Sequence, residues 1–227
     1  MSDRTRLNKF LAHTTGISRR EADMLIEQGR VSVNGRPAEL GAQLSEHDLL
    51  AVDGKPVSTQ PTSYTYLLFN KPVGYVCSRR AQGDHPTIYE LLPAKYHSLK
   101  PVGRLDRDSS GLLLLTDDGD FAFRMTHPSF HKNKTYEVLL DKPLEPLHRQ
   151  MISDYGVDLE DGKSQLQLER LYEGSEREWK VLMHEGRNRQ IRRTFAALGY
   201  TVTRLHRTHF GNYALDSLRP GKYLETQ

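Results

Sequence analysis

The chain has 227 residues, 32 Lys and Arg against 29 Asp and Glu for a net charge of +3, and a single cysteine. That length holds one or two domains, while Cys77 alone excludes an internal disulfide and fits a reducing cytoplasm. No apolar run reaches membrane-span length and no apolar signal core follows the N-terminus, so the expectation is a cytoplasmic, non-membrane protein whose mild positive charge permits nucleic acid as a partner.

In chain order, Arg6 to Thr14 carries Leu7, Phe10 and Leu11 at helical spacing. Ser18-Arg19-Arg20-Glu21 is a capping box that starts a second helix, which runs to Gln28 and stops at Gly29. Val31 to Val33 alternates as a strand, Asn34-Gly35 turns, and Leu49–Val52 with Lys55–Val57 forms a hairpin around Asp53-Gly54. Residues 58–63 are polar, contain a proline and show no apolar period, which predicts a linker. Beyond it, strands are expected at Tyr66–Phe69, Leu112–Thr116, Thr135–Leu140, Ser164–Leu171 and Trp179–Met183. Helices are expected near Thr87–Leu92, Asp120–Thr126, Leu144–Ser153 and Asn188–Leu198. The pattern predicts an α+β protein with a small domain at 1–60 and a larger one at 61–227 built around a mixed, largely antiparallel sheet.

The segment richest in chemistry is Val102-Gly103-Arg104-Leu105-Asp106-Arg107-Asp108-Ser109-Ser110-Gly111-Leu112. It holds a carboxylate between two arginines, directly before an apolar strand. Judged by composition alone, it is a solvated turn. The string Gly-Arg-Leu-Asp-x-x-Ser-Ser-Gly-Leu-Leu-Leu-Leu-Thr-Asp-Asp-Gly, however, resembles the central motif of pseudouridine synthases. Asn70-Lys71-Pro72-Val73-Gly74 is similar to that family's Lys-Pro-x-Gly strand, and Lys134-Thr135-Tyr136 to its Lys-x-Tyr strand. Glu185-Gly186-Arg187-Asn188-Arg189-Gln190-Ile191-Arg192 is similar to its late Glu-Gly-Arg-x-x-Gln-Ile-Arg segment, with Arg189 standing where many relatives carry histidine. Four motifs in family order cover the chain from about residue 66 onward, and residues 1–60 resemble the S4-like RNA-binding module of the Rsu branch that modifies ribosomal RNA.

The resemblance implies conversion of a ribosomal RNA uridine to pseudouridine. This reaction breaks N1–C1′, turns the base and joins C5 to the same sugar carbon, with no cofactor. An electron-poor C1′ calls for an anion, as in glycoside hydrolysis, and the resemblance gives Asp106 that role. It sets Tyr136 against the flipped uracil, although an aromatic on a strand is also an ordinary packing residue. It makes Arg192 the cation paired with Asp106 and sends Arg104 into the RNA stack in place of the target. Six arginines lie between Gly186 and Leu215 without an acid (Arg187, Arg189, Arg192, Arg193, Arg204 and Arg207), so phosphate contact is expected, with Arg187 and Arg193 foremost. Arg19, Arg20, Arg30 and Arg36 are the corresponding candidates in the small domain.

No metal is expected: His127 and His131 are separated by Pro128, and no Cys–Cys or His-Glu-x-x-His pattern occurs. The expected partner is ribosomal RNA or a ribosome-assembly intermediate, met by a monomer. His85-Pro86-Thr87, Tyr75-Val76-Cys77-Ser78 and Thr116-Asp117-Asp118-Gly119 favour small-subunit over large-subunit RNA within the resemblance. A non-catalytic RNA-binding protein on the same scaffold is the main alternative. A sugar glycosidase is more distant, because its usual carboxylate pair is not evident.

Overall fold

The computed structural model describes residues 4–45, 47–58, 63–79 and 83–226. The chain divides into two compact units, Met1–Tyr64 and Thr65–Gln227. Of the linker expected at 58–63, residues 59–62 lie outside the described residues.

The first unit runs β1 (Thr5–Arg6), α1 (Leu7–Thr15), α2 (Arg19–Glu27), β2 (Val31–Val33), β3 (Arg36–Pro37), β4 (Gln43–Leu44), β5 (Leu50–Val52) and β6 (Lys55–Val57). Its second helix starts on the expected capping box: Glu21 N donates to Ser18 Oγ at 3.1 Å and Ser18 N to Glu21 Oε2 at 2.6 Å. Such a cap contributes about 1 kcal/mol. Asn34-Gly35 and Asp53-Gly54 have positive φ at both positions, as two-residue hairpin turns require. Leu7, Leu11, Ala22 and Ile26 from the helices pack on Val31, Leu44 and Leu50 to form the core.

The second unit runs β7 (Tyr66–Lys71), β8 (Lys100–Val102), β9 (Ser110–Thr116), α3 (Gly119–Thr126), β10 (Lys134–Leu140), α4 (Pro146–Gln150), β11 (Val157–Leu159), β12 (Gly162–Ser164), β13 (Gln167–Arg170), β14 (Glu178–Met183), α5 (Gln190–Ala197), β15 (Val202–Phe210), β16 (Tyr213–Ala214) and β17 (Tyr223–Thr226). Among the described residues, nine strands join in one sheet of order β13-β14-β10-β15-β9-β7-β17, with β16 on β15 and β8 on β9. All its pairings are antiparallel except β9 with β15. The sheet forks at β9. Ser110 and Gly111 pair with β15, whereas Leu114 to Thr116 pair with β8.

Both faces of β9 are covered. Leu113 and Leu115 enter the main core with Phe69, Val138, Trp179, Val181 and Phe195, while Leu112 and Leu114 join Val102, Met125 and Phe210 in a second cluster. An uninterrupted apolar run is what a strand buried on two faces needs. Gly111 (φ +106°) permits the close β9–β15 approach, since a Cβ there would lie 2.2 Å from the Arg207 carbonyl oxygen.

Four local expectations change. The strand expected at Ser164–Leu171 is two strands in different sheets, β12 and β13, interrupted where Leu166 N turns to the Ile152 carbonyl. The helix near Thr87–Leu92 is a 3-10 turn at Ile88–Leu91. The helix at Leu144–Ser153 is α4 followed by a π turn, Met151–Tyr155. The nine-residue β15, central to the sheet, was not among the expected strands. Among the described residues no helix is long and apolar enough to cross a membrane.

Candidate active site

Asp106 sits half-buried on the loop joining β8 to β9. Each carbonyl from 105 to 109 accepts a hydrogen bond from outside that stretch. Cys77 Sγ donates to Leu105 O at 3.3 Å, and Lys71 Nζ to Asp106 O and Ser109 O at 3.0 and 2.7 Å. Gly74 N reaches Arg107 O at 2.7 Å, and Arg192 Nη2 reaches Asp108 O at 2.8 Å. Burial pushes the Cys77 thiol up, which keeps it an S–H donor. Burial also pulls Lys71 down to about 8, against the attraction of Asp106 and Asp108.

Two carboxylates and two guanidiniums meet above this loop. Arg189 binds Asp108 in bidentate fashion at 3.0 and 2.9 Å, and its Nη1 lies 3.5 Å from Asp106 Oδ2. The hydrogen bond from Arg189 is the main reason the Asp108 carboxyl is held below the ordinary range; burial opposes it. Arg192 does not form the expected ion pair with Asp106. Its Nη1 donates to Val202 O at 2.6 Å, and its Nε lies 3.3 Å from Asp108 Oδ2 without hydrogen-bond alignment. The cause is local. Arg189, at φ 47° ahead of α5, faces the loop, while Arg192 in the first helical turn is spent on backbone carbonyls.

A cavity of about 360 Å3 opens beside Asp106, lined among others by Arg104, Lys134, Tyr136, Arg189 and Arg207. That is large enough for a small-molecule or nucleotide-sized group. Tyr136, on β10, belongs to the buried core and also lines the cavity, so both readings of this aromatic keep support. Its hydroxyl lies 3.5 Å from Arg207 Nη1. Lys134, two residues earlier on β10, shares its face of the strand; that spacing was readable in the sequence, and the residue was not singled out. Lys71 and Asp108 were likewise not assigned to the site.

Several arginines expected to meet phosphate are committed inside the protein. Arg187 donates to Asp161 O, Gly162 O and Lys163 O at 3.0, 2.9 and 2.8 Å, and pairs with Asp161 and Glu185. Arg193 holds Asp161 through two bonds at 3.0 and 2.7 Å. Arg207 is 2% exposed and donates to Leu112 O. The acid-free stretch therefore finds its acids across the fold, chiefly at Asp161 and Asp108. In the first unit Arg30 forms a bidentate pair with Asp53 and Arg19 reaches Asn8 Oδ1, while Arg20 and Arg36 are exposed. Arg104 is exposed at the cavity wall. Among the described residues no group of three His, Cys, Asp or Glu side chains is placed to hold a metal ion.

Residues 65–197 match the family described as RNA pseudouridylate synthase, and residues 5–50 match the S4 domain. The chain is similar to ribosomal small subunit pseudouridine synthase A of Pasteurella multocida, at 40% identity over 96% of this chain and 94% of that protein. It is 37% identical to ribosomal large subunit pseudouridine synthase B of Pseudomonas aeruginosa, over 97% of this chain and 59% of that one. A solved pseudouridylate synthase structure superposes with a TM-score of 0.69 at 36% identity, covering 98% of this chain and 96% of the other.

Proposed function

The chain belongs to the RNA pseudouridylate synthase family, and from that premise we propose that it isomerises a uridine of small-subunit ribosomal RNA to pseudouridine, with Asp106 as the catalytic carboxylate. The observation that carries this reading is the convergence of Asp106, Tyr136 and Arg104 on one cavity beside a rigidly held loop. Asp106 would lie against C1′ as the N1–C1′ bond breaks and its electron pair stays with the base. The released uracil turns without leaving, C5 bonds to C1′, the C5 proton departs and N1 gains one. Atoms balance with no cofactor.

Tyr136 supplies a face for the flipped base, and its hydroxyl is a candidate to assist loss of the C5 proton. Arg104, exposed at the rim, would fill the gap left in the RNA stack. Arg189, rather than Arg192, is the near cation of Asp106; Arg192 acts through Asp108 and the loop backbone. The S4-like unit, assigned to residues 1–60 ahead of a catalytic domain at 61–227, would dock structured RNA through Arg20 and Arg36. The working form is a cytoplasmic monomer acting on ribosomal RNA or an assembly intermediate.

Pseudouridine mapping of ribosomal RNA from cells with and without the protein tests the substrate. A site lost from small-subunit RNA is expected, a site lost only from large-subunit RNA reassigns the substrate, and no lost site refutes the reading. With purified protein, Asp106→Asn should abolish product while RNA affinity is kept, because the anion goes and the shape stays. Normal turnover by that variant would remove Asp106 from the chemistry.

A further inference from the structure

Two cations line the cavity beside Tyr136 and bond to neutral acceptors. Lys134, on β10, donates to His184 O and Glu185 O at 3.2 and 3.4 Å. Arg207, on β15, donates to Leu112 O at 2.8 Å and approaches the Tyr136 hydroxyl at 3.5 Å. Both flank the Phe210 ring, Lys134 Nζ at 5.3 Å and Arg207 Cζ at 4.8 Å from its centroid. Lys134 is 9% exposed and Arg207 is 2% exposed, and Arg207 Nη2 is buried without a hydrogen-bond partner.

A buried cation pair is costly unless an anion compensates it. The charged groups that act on Lys134 are Arg207, which repels it, and Glu185, which attracts it. Glu185 is already engaged by Gln190 Nε2 at 2.5 Å and by Arg187 at 3.3 Å. Arg104, Asp106, His184, Arg187 and Arg189 line the same cavity. With Glu185 the cavity wall carries two carboxylates against five Lys and Arg side chains, so it is short of negative charge.

We propose that Lys134 and Arg207 grip the two carbonyl oxygens of the target uracil and take up the negative charge that the base carries while detached from the sugar. This rests on the pseudouridine synthase reading. When N1–C1′ breaks, the bonding pair stays on N1 and resonance spreads it over O2 and O4. Formation of C5–C1′, loss of the C5 proton and protonation of N1 then discharge the anion. A half-turn about the line through N3 and C6 exchanges O2 with O4 and N1 with C5. Two donors placed at the carbonyls thus meet equivalent acceptors before and after the turn, and the anion is held in both end orientations. Charge-assisted bonds of this kind are roughly twice as strong as neutral ones.

The test is single-turnover pseudouridine formation on a ribosomal RNA fragment, measured against pH for the full chain and for Lys134→Met, Lys134→Arg and Arg207→Lys. Burial and Arg207 pull Lys134 down to about 8. The second-order rate of the unaltered protein should therefore fall as pH rises through about 8, where the amine loses its proton. Lys134→Met should lose about 100-fold or more in rate, the scale of removing one preorganised donor, with RNA affinity within about threefold because the contact strengthens only as charge develops. Lys134→Arg should restore most of the rate and shrink the alkaline limb to the part that Lys71, also pulled down to about 8, contributes through the Asp106 loop, a rescue that a packing role would not produce. Arg207→Lys should slow turnover similarly and keep the limb. A flat profile between pH 7 and 9 in the unaltered protein, which needs no variant to fold, overturns the proposal. So does a Lys134→Met rate within about tenfold of normal. Absence of product from the unaltered protein overturns the parent reading with it; normal product combined with either result above overturns this proposal alone.

Discussion

Replacing Gly111 by Ala tests how closely β9 and β15 must approach for the cavity to exist. At φ +106° an L residue is strained, at a cost of about 1–2 kcal/mol. The new methyl would lie 2.2, 2.6 and 2.9 Å from the O, N and C atoms of Arg207. These are backbone atoms in a paired strand, so β15 would have to retreat by roughly 1 Å in a densely packed interior, at a further cost of about 1–3 kcal/mol. The expected loss is ~2–5 kcal/mol, a large share of a domain's ordinary stability, and lowers the melting temperature by roughly 5–20 °C. Trp179 is the only tryptophan in the chain and lies buried in the second unit, so its fluorescence reports that unit alone. Gly74→Ala is the control: its φ is +99° and no atom lies within 4 Å of the added carbon, so only the backbone strain of about 1–2 kcal/mol applies. Because Gly111 sets the register of Arg207, activity of Gly111→Ala should also fall well below its melting range. A melt no lower than that of the Gly74 variant would refute the close-approach reasoning.

Tyr136→Phe keeps the ring, so stacking worth about 1–3 kcal/mol survives and RNA binding holds, while product release drops if the hydroxyl assists C5 deprotonation; Tyr136→Leu should lose base positioning as well. Single-turnover assays beside thermal melts decide between the roles: full activity of Phe ends the proton-transfer role, and full activity of Leu removes Tyr136 from the site. Arg20→Ala, which removes one exposed cation of the first unit, should reduce the slope of log affinity against log salt by roughly 0.7–0.9, the worth of one phosphate contact. Arg187 and Arg193, both tied to Asp161, should instead lower the melting temperature when replaced together by Ala and leave the slope nearly unchanged. A full two-contact drop in slope, measured by RNA titrations across salt concentrations, would show that they reach phosphate after all.

What was legible in the sequence was contiguous. The Ser18 capping box keeps its chemistry within four residues, so residue types and spacing identify it, whereas the loop around Asp106 and the Lys-x-Tyr strand were legible through the resemblance of their contiguous strings to a family. What escaped depends on partners far along the chain. β15 reads as a charged surface because Arg204, His206, Arg207 and His209 interrupt its apolar alternation. Only the approach of Gly111 and the Leu112 carbonyl makes a buried position for Arg207. The arginines of 187–193 look unpaired locally because their acids, Asp161 and Asp108, arrive from β11–β12 and from the loop before β9. Arg192 fails to pair with Asp106 for the same kind of reason: the carbonyls of Asp108 and Val202 claim it, and no one-dimensional pattern reveals them.

The grip on carbonyls 105 to 109 separates the aim of the proposed reactive group from its identity. The loop's path is held by Lys71, Gly74, Cys77 and Arg192, acting on atoms every residue possesses. A different side chain at position 106 would be carried to the same point in space. A change at Lys71, in contrast, would leave Asp106 in the sequence and turn it away from its target. Variants of this second kind would keep the proposed catalytic carboxylate and still be inert, and they would lie 35 residues before it. The loop behaves as a socket with an interchangeable tip, and its tolerance to substitution should be read from the positions that hold it.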